Sequence, residues 1–220
     1  MATDVILRQG NAVSRPRPML VWLGWAFITA LAAYFFATTV PNYFRFDAVH
    51  YRYYWPARWW LVAHIGGGSL ALWMGPLQFS TTLRKRFVKA HRWMGRLYLC
   101  GILVGSLGAM YMGFFVSPNK AFGIALEFLA LAWFVTSGMA YLAVMRRQFV
   151  AHKEWMIRSY VVTFGFVLFR LGERWQLFGS LGSAVQPVML VWVCWAIPVL
   201  GAEVALQWRR TVGFPVRSTP

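Results

Sequence analysis

Residues Met19–Thr38 have the sequence MLVWLGWAFITALAAYFFAT, which contains no charged side chain. A helix of about 20 apolar residues is long enough to cross the hydrocarbon core of a bilayer. The apolar core of a cleaved signal peptide is shorter, about 7–15 residues. The stretch therefore predicts an uncleaved first membrane span.

Five further apolar blocks follow the first one. They cover approximately residues 59–80, 91–116, 122–144, 155–178 and 187–206. Each block has about the length that a membrane-spanning helix needs. Together with residues 19–38 they predict one all-α domain over 1–220, a polytopic integral membrane protein built as a six-helix transmembrane bundle.

The composition supports the same class of protein. Of the 220 residues, 59% are hydrophobic and only 13% are charged, whereas soluble domains carry about 25% charged residues. A disordered chain needs low hydrophobicity and high charge, so that class is excluded. With two cysteines, a small disulfide-stabilised scaffold is excluded as well.

The net charge of +16 is distributed unevenly along the chain. Basic residues cluster on one side of the predicted membrane, and the other side carries only Arg45, Arg52, Arg58 and Lys120. The basic side comprises Arg8, Arg15, Arg17, Arg84, Lys85, Arg86, Lys89, Arg92, Arg96, Arg146, Arg147, Lys153, Arg158, Arg209, Arg210 and Arg217. The positive-inside rule predicts a cell (inner or plasma) membrane protein with both termini in the cytoplasm. Nucleic-acid binding is not expected, because no polar domain presents this charge.

The loop over residues 42–58, NYFRFDAVHYRYYWPAR, is rich in tyrosine and tryptophan. Such residues commonly form a belt at the level of the lipid headgroups. The same loop is also consistent with a docking surface for a quinone or a redox partner. The sequence leaves both interpretations open.

Four histidines carry most of the functional signal. His50 lies in the outer loop and His64 lies inside the second span, whereas His91 and His152 begin spans three and five on the same side. Two neutral imidazoles from facing helices can ligate a haem iron axially. Zinc normally takes three or four protein ligands, so it fits this pair less well.

The sequence therefore predicts His91 and His152 as metal ligands of one haem b, which would lie in an apolar slot between spans three and five. This prediction requires spans three and five to be neighbours in the bundle. Nearby arginines are expected to neutralise the haem propionates: Arg92, Arg96 and Arg158. His64 is a further cofactor-binding candidate, with His50, a methionine (Met110 or Met112) or a solvent molecule as its partner. The alternative for His64 is a hydrogen bond between two helices, which polar side chains in membranes often form.

Ionisable residues inside predicted spans are costly in lipid and need partners. Glu127 in span four and Arg170 in span five lie at similar depth, and Glu173 shares a helix face with Arg170. These three residues predict a buried polar cluster. Its role is either an ion pair between helices, a proton path or an anchor for an anionic head group. Arg158 and Glu203 are expected to pair in the same way.

Three segments of the chain are similar to motifs of a known family. They are HIGG at 64–67 with GPLQF at 75–79, HRWMGRLY at 91–98, and HKEWMIRS at 152–159. Together, over about residues 59–174, they resemble a family of bacterial predicted membrane proteins of unknown function. The resemblance implies an integral membrane protein and no particular reaction, substrate or cofactor.

A weaker likeness connects the chain to helical b-type cytochromes and ferric-reductase-like membrane bundles. It depends on histidines at helix ends in a small bundle. Those proteins typically carry two histidines on one helix, and here no predicted span holds two. The likeness therefore favours at most one haem and not a two-haem electron path.

The leading functional hypothesis is a haem-binding, cytochrome b-like electron-transfer protein of the membrane. The alternatives are a non-catalytic accessory or assembly subunit, and a small transporter that uses Glu127 and Arg170. The sequence has no phosphate-binding loop and no zinc-protease helix motif. It identifies no catalytic residue.

Overall fold

The computed structural model describes residues 18–211. This part of the chain is helical throughout and contains no strand. Its six long helices are α1 (Pro18–Thr39), α2 (Arg58–Gln78), α3 (Val88–Phe115), α4 (Lys120–Met145), α5 (Phe149–Arg174) and α6 (Gly182–Thr211). Each corresponds to one apolar block of the sequence. Four arginines used in the charge argument lie outside the described residues: Arg8, Arg15, Arg17 and Arg217.

Four helical segments of the described chain are long and apolar enough to cross a membrane. They are Met19–Arg45, Val88–Phe115, Lys120–Met145 and Gly179–Trp208, which correspond to α1, α3, α4 and α6. The predicted six-helix transmembrane bundle is therefore supported for four of its six helices. The other two are more polar, because α5 carries six charged residues and α2 carries His64 beside three consecutive glycines.

The helices surround one core. Neighbours in sequence pack together from α2 to α5, and α5 returns to contact α2, so these four form a closed ring. In this ring α3 and α5 are diagonal to each other. α6 lies outside the ring against α4 and α5, and α1 contacts α5. The predicted bundle is thus a four-helix bundle with two flanking helices.

Glycines allow α2 and α3 to approach each other closely. A Cβ atom added to Gly101 would lie 2.7 Å from the carbonyl oxygen of Gly67, and one added to Gly108 would lie 2.6 Å from the carbonyl oxygen of Trp60. Real Cβ atoms do not approach neighbouring atoms this closely. Small residues at such an interface are a standard means of packing helices in membranes.

Hydroxyl groups connect the diagonal helices at the centre of the ring. The hydroxyl of Tyr98 in α3 lies 2.7 Å from Ser159 Oγ and 3.2 Å from Thr163 Oγ1, both in α5. The indole of Trp133 in α4 donates to Thr163 Oγ1 at 2.7 Å, and Ser137 Oγ lies 2.7 Å from Ser159 Oγ. All five residues are buried, so their hydrogen bonds satisfy polar groups that water does not reach.

Short connections bring helix ends together at one end of the bundle. A helix over Thr81–Arg86, capped by the Ser80 hydroxyl, joins α2 to α3. A tight turn at Arg146–Gln148 joins α4 to α5, and Arg147 adopts a positive φ of 58° there. We call this end the basic end, because both connections carry arginines. The opposite end, which carries residues 40–57, is the aromatic end.

We predict that Gly67→Ala destabilises the protein whereas Gly66→Ala does not. A Cβ atom at Gly67 meets the backbone of Gly101 and Gly105, but one at Gly66 meets nothing within 4 Å. Overpacking costs about 1–3 kcal/mol, whereas alanine at an open helical position is favourable by about 0.5–1 kcal/mol relative to glycine. Thermal unfolding of the detergent-purified variants measures the difference. Equal melting temperatures for the two variants would contradict the close contact.

Candidate cofactor site at the basic end

A large cavity lies at the basic end of the ring. Its volume is about 1080 Å³, and both His91 and His152 line it. The shared site was expected to need spans three and five as neighbours, and this expectation is wrong, because the two helices are diagonal in the ring. Both histidines nevertheless line this one cavity. The wall also includes five cationic residues: Arg84, Arg92, Arg96, Arg147 and Lys153. Apolar side chains complete it, among them Leu99, Val144 and Met156.

His152 is held in one tautomer by the backbone. Its Nδ1 lies 2.8 Å from the carbonyl oxygen of Ala140, and a carbonyl oxygen only accepts hydrogen bonds, so Nδ1–H is the donor. The neutral ring then has an unprotonated Nε2. A hydrogen bond from the second ring nitrogen to a carbonyl is the usual way in which proteins orient a metal-binding histidine.

Two polar atoms beside the cavity have no protein partner among the described residues. They are His91 Nδ1 and Gln78 Nε2, and both are buried. Buried polar atoms are normally hydrogen-bonded, so an unpartnered pair next to a cavity is unusual. The two side chains belong to residues that line the same cavity. Water or a ligand in the cavity would satisfy both atoms.

Arg158 does not line the cavity, unlike the other two predicted arginines. Its Nε donates to Glu203 Oε2 at 2.8 Å and its Nη2 contacts the same oxygen. Its guanidinium group also lies over the ring of Trp155, 4.7 Å from the ring centre. The expected pairing of Arg158 with Glu203 is thus present, and it joins α5 to α6. This pairing directs Arg158 away from the site that the sequence assigned to it.

His64 lies near the other end of the bundle. Its Nδ1–H donates to the carbonyl oxygen of Gly105 at 2.9 Å, which is a hydrogen bond between α2 and α3. This is one of the two interpretations that the sequence left open. His64 also lines a second cavity of about 140 Å³, the aromatic-end cavity, together with Met112 and Arg170. Met110, the other suggested methionine, is not part of its wall.

The predicted cluster of Glu127, Arg170 and Glu173 forms only in part. Arg170 Nη1 donates to Glu173 Oε2 at 2.7 Å. Glu127 is separate from this pair, because its carboxyl group packs against α3, where its Cδ is 3.2 Å from a Cβ built on Gly113. Within residues 18–211 its carboxyl oxygens have no side-chain partner, and the backbone N–H of Phe114 is the neighbouring donor.

Helix geometry explains why Glu127 misses Arg170. Phe122, Leu126 and Leu129 are the α4 residues that line the aromatic-end cavity together with Arg170. Successive residues of an α-helix are about 100° apart around the axis. Glu127 is therefore turned from Leu126 towards α3. Similar depth in two helices does not determine which face of each helix a residue occupies.

The aromatic residues of segment 40–57 pack largely on one another. Tyr51 is only 1% exposed, and its hydroxyl donates to the carbonyl oxygen of Tyr43 at 2.8 Å. His50 Nδ1 lies 2.8 Å from Asp47 Oδ2. The backbone N–H of His50 also donates to Asp47, and these contacts hold the pKa of the Asp47 carboxyl below its ordinary value. His50 thus has a structural partner and lies apart from both cavities.

Within residues 18–211, no three or more histidine, cysteine, aspartate or glutamate side chains are close enough to hold a metal ion by themselves. The residues that sequence reasoning missed at the basic end are Gln78, Arg84 and Arg147. Gln78 belongs to the GPLQF motif, so its position was marked by the sequence although its role was not. Arg84 and Arg147 were counted only as charges that orient the chain in the membrane.

The comparison with protein families agrees with the three motifs. A family described as "Predicted membrane protein (DUF2306)" matches residues 61–206, which is well over half of the chain. The chain belongs to this family. The matched region contains α3 to α5, nearly all of α2 and most of α6, and it includes His64, His91 and His152. No curated protein and no solved structure matches the chain.

We predict opposite outcomes for two glutamate-to-glutamine substitutions. Glu127→Gln retains or raises the melting temperature, because a buried carboxyl group without a side-chain partner is costly when charged. Glu203→Gln lowers the melting temperature, because it removes the charge that Arg158 contacts. Thermal unfolding in detergent measures both. If Glu127→Gln is destabilised as much as Glu203→Gln, the carboxyl group of Glu127 has a partner in the folded protein.

Proposed function

We propose that this member of the DUF2306 family is a membrane electron-transfer protein that binds one haem b at the basic end. The observation that carries the proposal is the shared cavity, in which His91 and His152 from two diagonal helices line one space with a cationic wall. Cofactor sites in helical bundles are commonly built from side chains on facing helices.

The number and type of ligands favour haem over a bare metal ion. A porphyrin would supply most of the ligands of its iron, so His91 and His152 would be the side chains needed to hold it. The site offers two histidines, and the described chain has no cluster of three metal-binding side chains. Zinc or another metal bound by protein alone would need at least one further ligand.

The charges and the size of the cavity fit the rest of the haem molecule. Haem has an apolar ring and two anionic propionates. The apolar side chains suit the ring, and Arg92, Arg96 and Lys153 in the wall suit the propionates. The volume of about 1080 Å³ reaches the upper end of the range of about 300–1000 Å³ for small-molecule sites.

Each residue has a distinct task in this proposal. The carbonyl oxygen of Ala140 keeps Nδ1 of His152 protonated, so that its Nε2 is available as a ligand. His91 supplies the second imidazole from α3. Arg92 and Arg96 would bind the carboxylates, and the apolar side chains of the wall would contact the ring. When bound, haem supplies reversible one-electron transfer.

We also propose that all six long helices cross the membrane, with the basic end in the cytoplasm. The charges of the two more polar helices are largely accommodated by protein contacts. Arg158 contacts Glu203, Arg170 contacts Glu173, and α5 contacts α1, α2, α4 and α6. A paired, protein-facing charge is the usual form in which ionisable residues occur in membranes.

We predict that the protein purified from haem-supplied cells has a Soret absorption band. His91→Ala and His152→Ala each abolish or shift the band, because each removes one axial ligand. His50→Ala is the matched control and leaves the spectrum unchanged, since His50 contacts Asp47 and lies outside the cavity. Absorption spectra with a pyridine haemochrome assay give the haem content of each variant.

Two further measurements make the haem experiment decisive. Size-exclusion profiles show whether each variant is folded, and added imidazole restores the band if the missing group is only the ligand. A monodisperse wild-type protein that stays colourless with excess haem would overturn the proposal. If the colourless protein co-purifies with a larger membrane complex, that result would favour the alternative of an accessory subunit.

We predict that cysteines introduced at Lys85 and Arg147 react only with reagents that reach the cytoplasm. Both positions lie in the connections of the basic end, and the positive-inside rule places basic connections in the cytoplasm. A cysteine at Tyr53 in the opposite connection is the control and reacts from outside, since this side chain is 46% exposed. Labelling of intact cells with an impermeant maleimide measures this. Reaction of Lys85→Cys from outside would reverse the orientation.

A further inference from the structure

We propose that the aromatic-end cavity binds the ring of a benzoquinone or its reduced quinol form. This site is separate from the basic-end cavity, and the proposal does not depend on haem. Three features support it: the size of the cavity, the polar groups in its wall, and its position beside α1, whose side chains are largely exposed.

The size of the cavity suits a single six-membered ring. Its volume is about 140 Å³, and an apolar protein cavity of about 150 Å³ is known to hold one benzene molecule. Most of its wall is apolar, with Leu61, Leu129, Phe166 and Val167 among the lining residues. A haem molecule is far larger than this space, so the cavity at His64 is too small to hold one.

Polar groups in the wall match the oxygen atoms of a quinone. His64 donates its only ring N–H to Gly105, so its Nε2 is an acceptor for the hydroxyl group of a quinol. Arg170 has five N–H donors, and its Nη1 contacts Glu173 while its Nη2 lies 3.5 Å from the Tyr43 hydroxyl. The remaining donors suit a quinone carbonyl oxygen. Tyr54 and Ser69 add hydroxyl groups to the same wall.

The surroundings provide a route for an apolar tail. On one side the cavity is bounded by Phe35 and Thr39 of α1 and by Val40 just after it. Many side chains of α1 are exposed, including Trp22 and Phe27, which indicates that this helix faces lipid. A tail that leaves the cavity along α1 would enter the bilayer, where membrane quinones are dissolved.

The test is binding of decylubiquinone to the protein in phosphatidylcholine nanodiscs. Saturable quenching of tryptophan fluorescence reports the binding. We expect His64→Leu to weaken binding about tenfold, which is the loss expected for one hydrogen bond. Ser69→Leu is expected to abolish binding, because it fills the ring space and leaves His64 and Arg170 in place.

Controls separate this site from the proposed haem site. His152→Leu is the matched substitution in the other cavity and leaves quinone binding unchanged. Decylbenzene, which has the ring and tail without oxygen atoms, binds much more weakly than decylubiquinone. A folded wild-type protein that binds decylubiquinone but no haem refutes only the haem proposal, and one that binds haem but no decylubiquinone refutes only this one.

Three outcomes would overturn the quinone site. They are non-saturable quenching by the wild-type protein, equal binding of decylbenzene, and unchanged binding by folded Ser69→Leu. Size-exclusion profiles and thermal unfolding establish that each variant is folded. If Ser69→Leu does not fold, Ser69→Val replaces it as a smaller substitution that still fills part of the cavity. The proposal is then overturned if both Ser69→Val and His64→Leu bind decylubiquinone as tightly as the wild-type protein does.

Discussion

Close contact between α2 and α3 is the constraint on which the rest of the structure depends. Gly67, Gly101 and Gly105 bring the two backbones together without intervening side chains. Because the backbones are so close, the imidazole of His64 reaches the carbonyl oxygen of Gly105. In membranes, where water offers little driving force for helix association, packing and such hydrogen bonds hold helices together.

The central hydroxyl network divides the interior into two compartments. Tyr98 connects α3 to Ser159 and Thr163 of α5, and Trp133 fills the space from α4. The basic-end cavity lies on one side of this network, and the aromatic-end cavity includes Thr163 on the other. The two proposed binding sites therefore have different walls, charges and sizes. One is large and cationic, and the other has the size of a single ring.

The helices and the basic-end residues could be predicted from the sequence because they depend on local patterns. Apolar blocks predicted all six long helices, and the equal depth of His91 and His152 anticipated their shared cavity. A uniformly apolar sequence gives little information about which face of the helix is turned towards which neighbour. For that reason Glu127 was assigned to Arg170, although it faces α3, and Arg158 was assigned to the cofactor, although it pairs with Glu203. Gln78 had no assigned role, because its contribution depends on where α2 ends relative to α3.

The loose attachment of α1 has a consequence for how the chain is assembled. Its main partner is α5, which begins at Phe149, more than 100 residues after α1 ends. During synthesis α1 can therefore complete its packing only after α5 has been made, although Phe36 of α1 also contacts Trp73 of α2. Its uncharged sequence and its exposed Trp22 and Phe27 are compatible with a helix that faces lipid at that stage. The ring of α2 to α5 closes only when α5 reaches α2, so α5 completes the core and captures α1 in the same step.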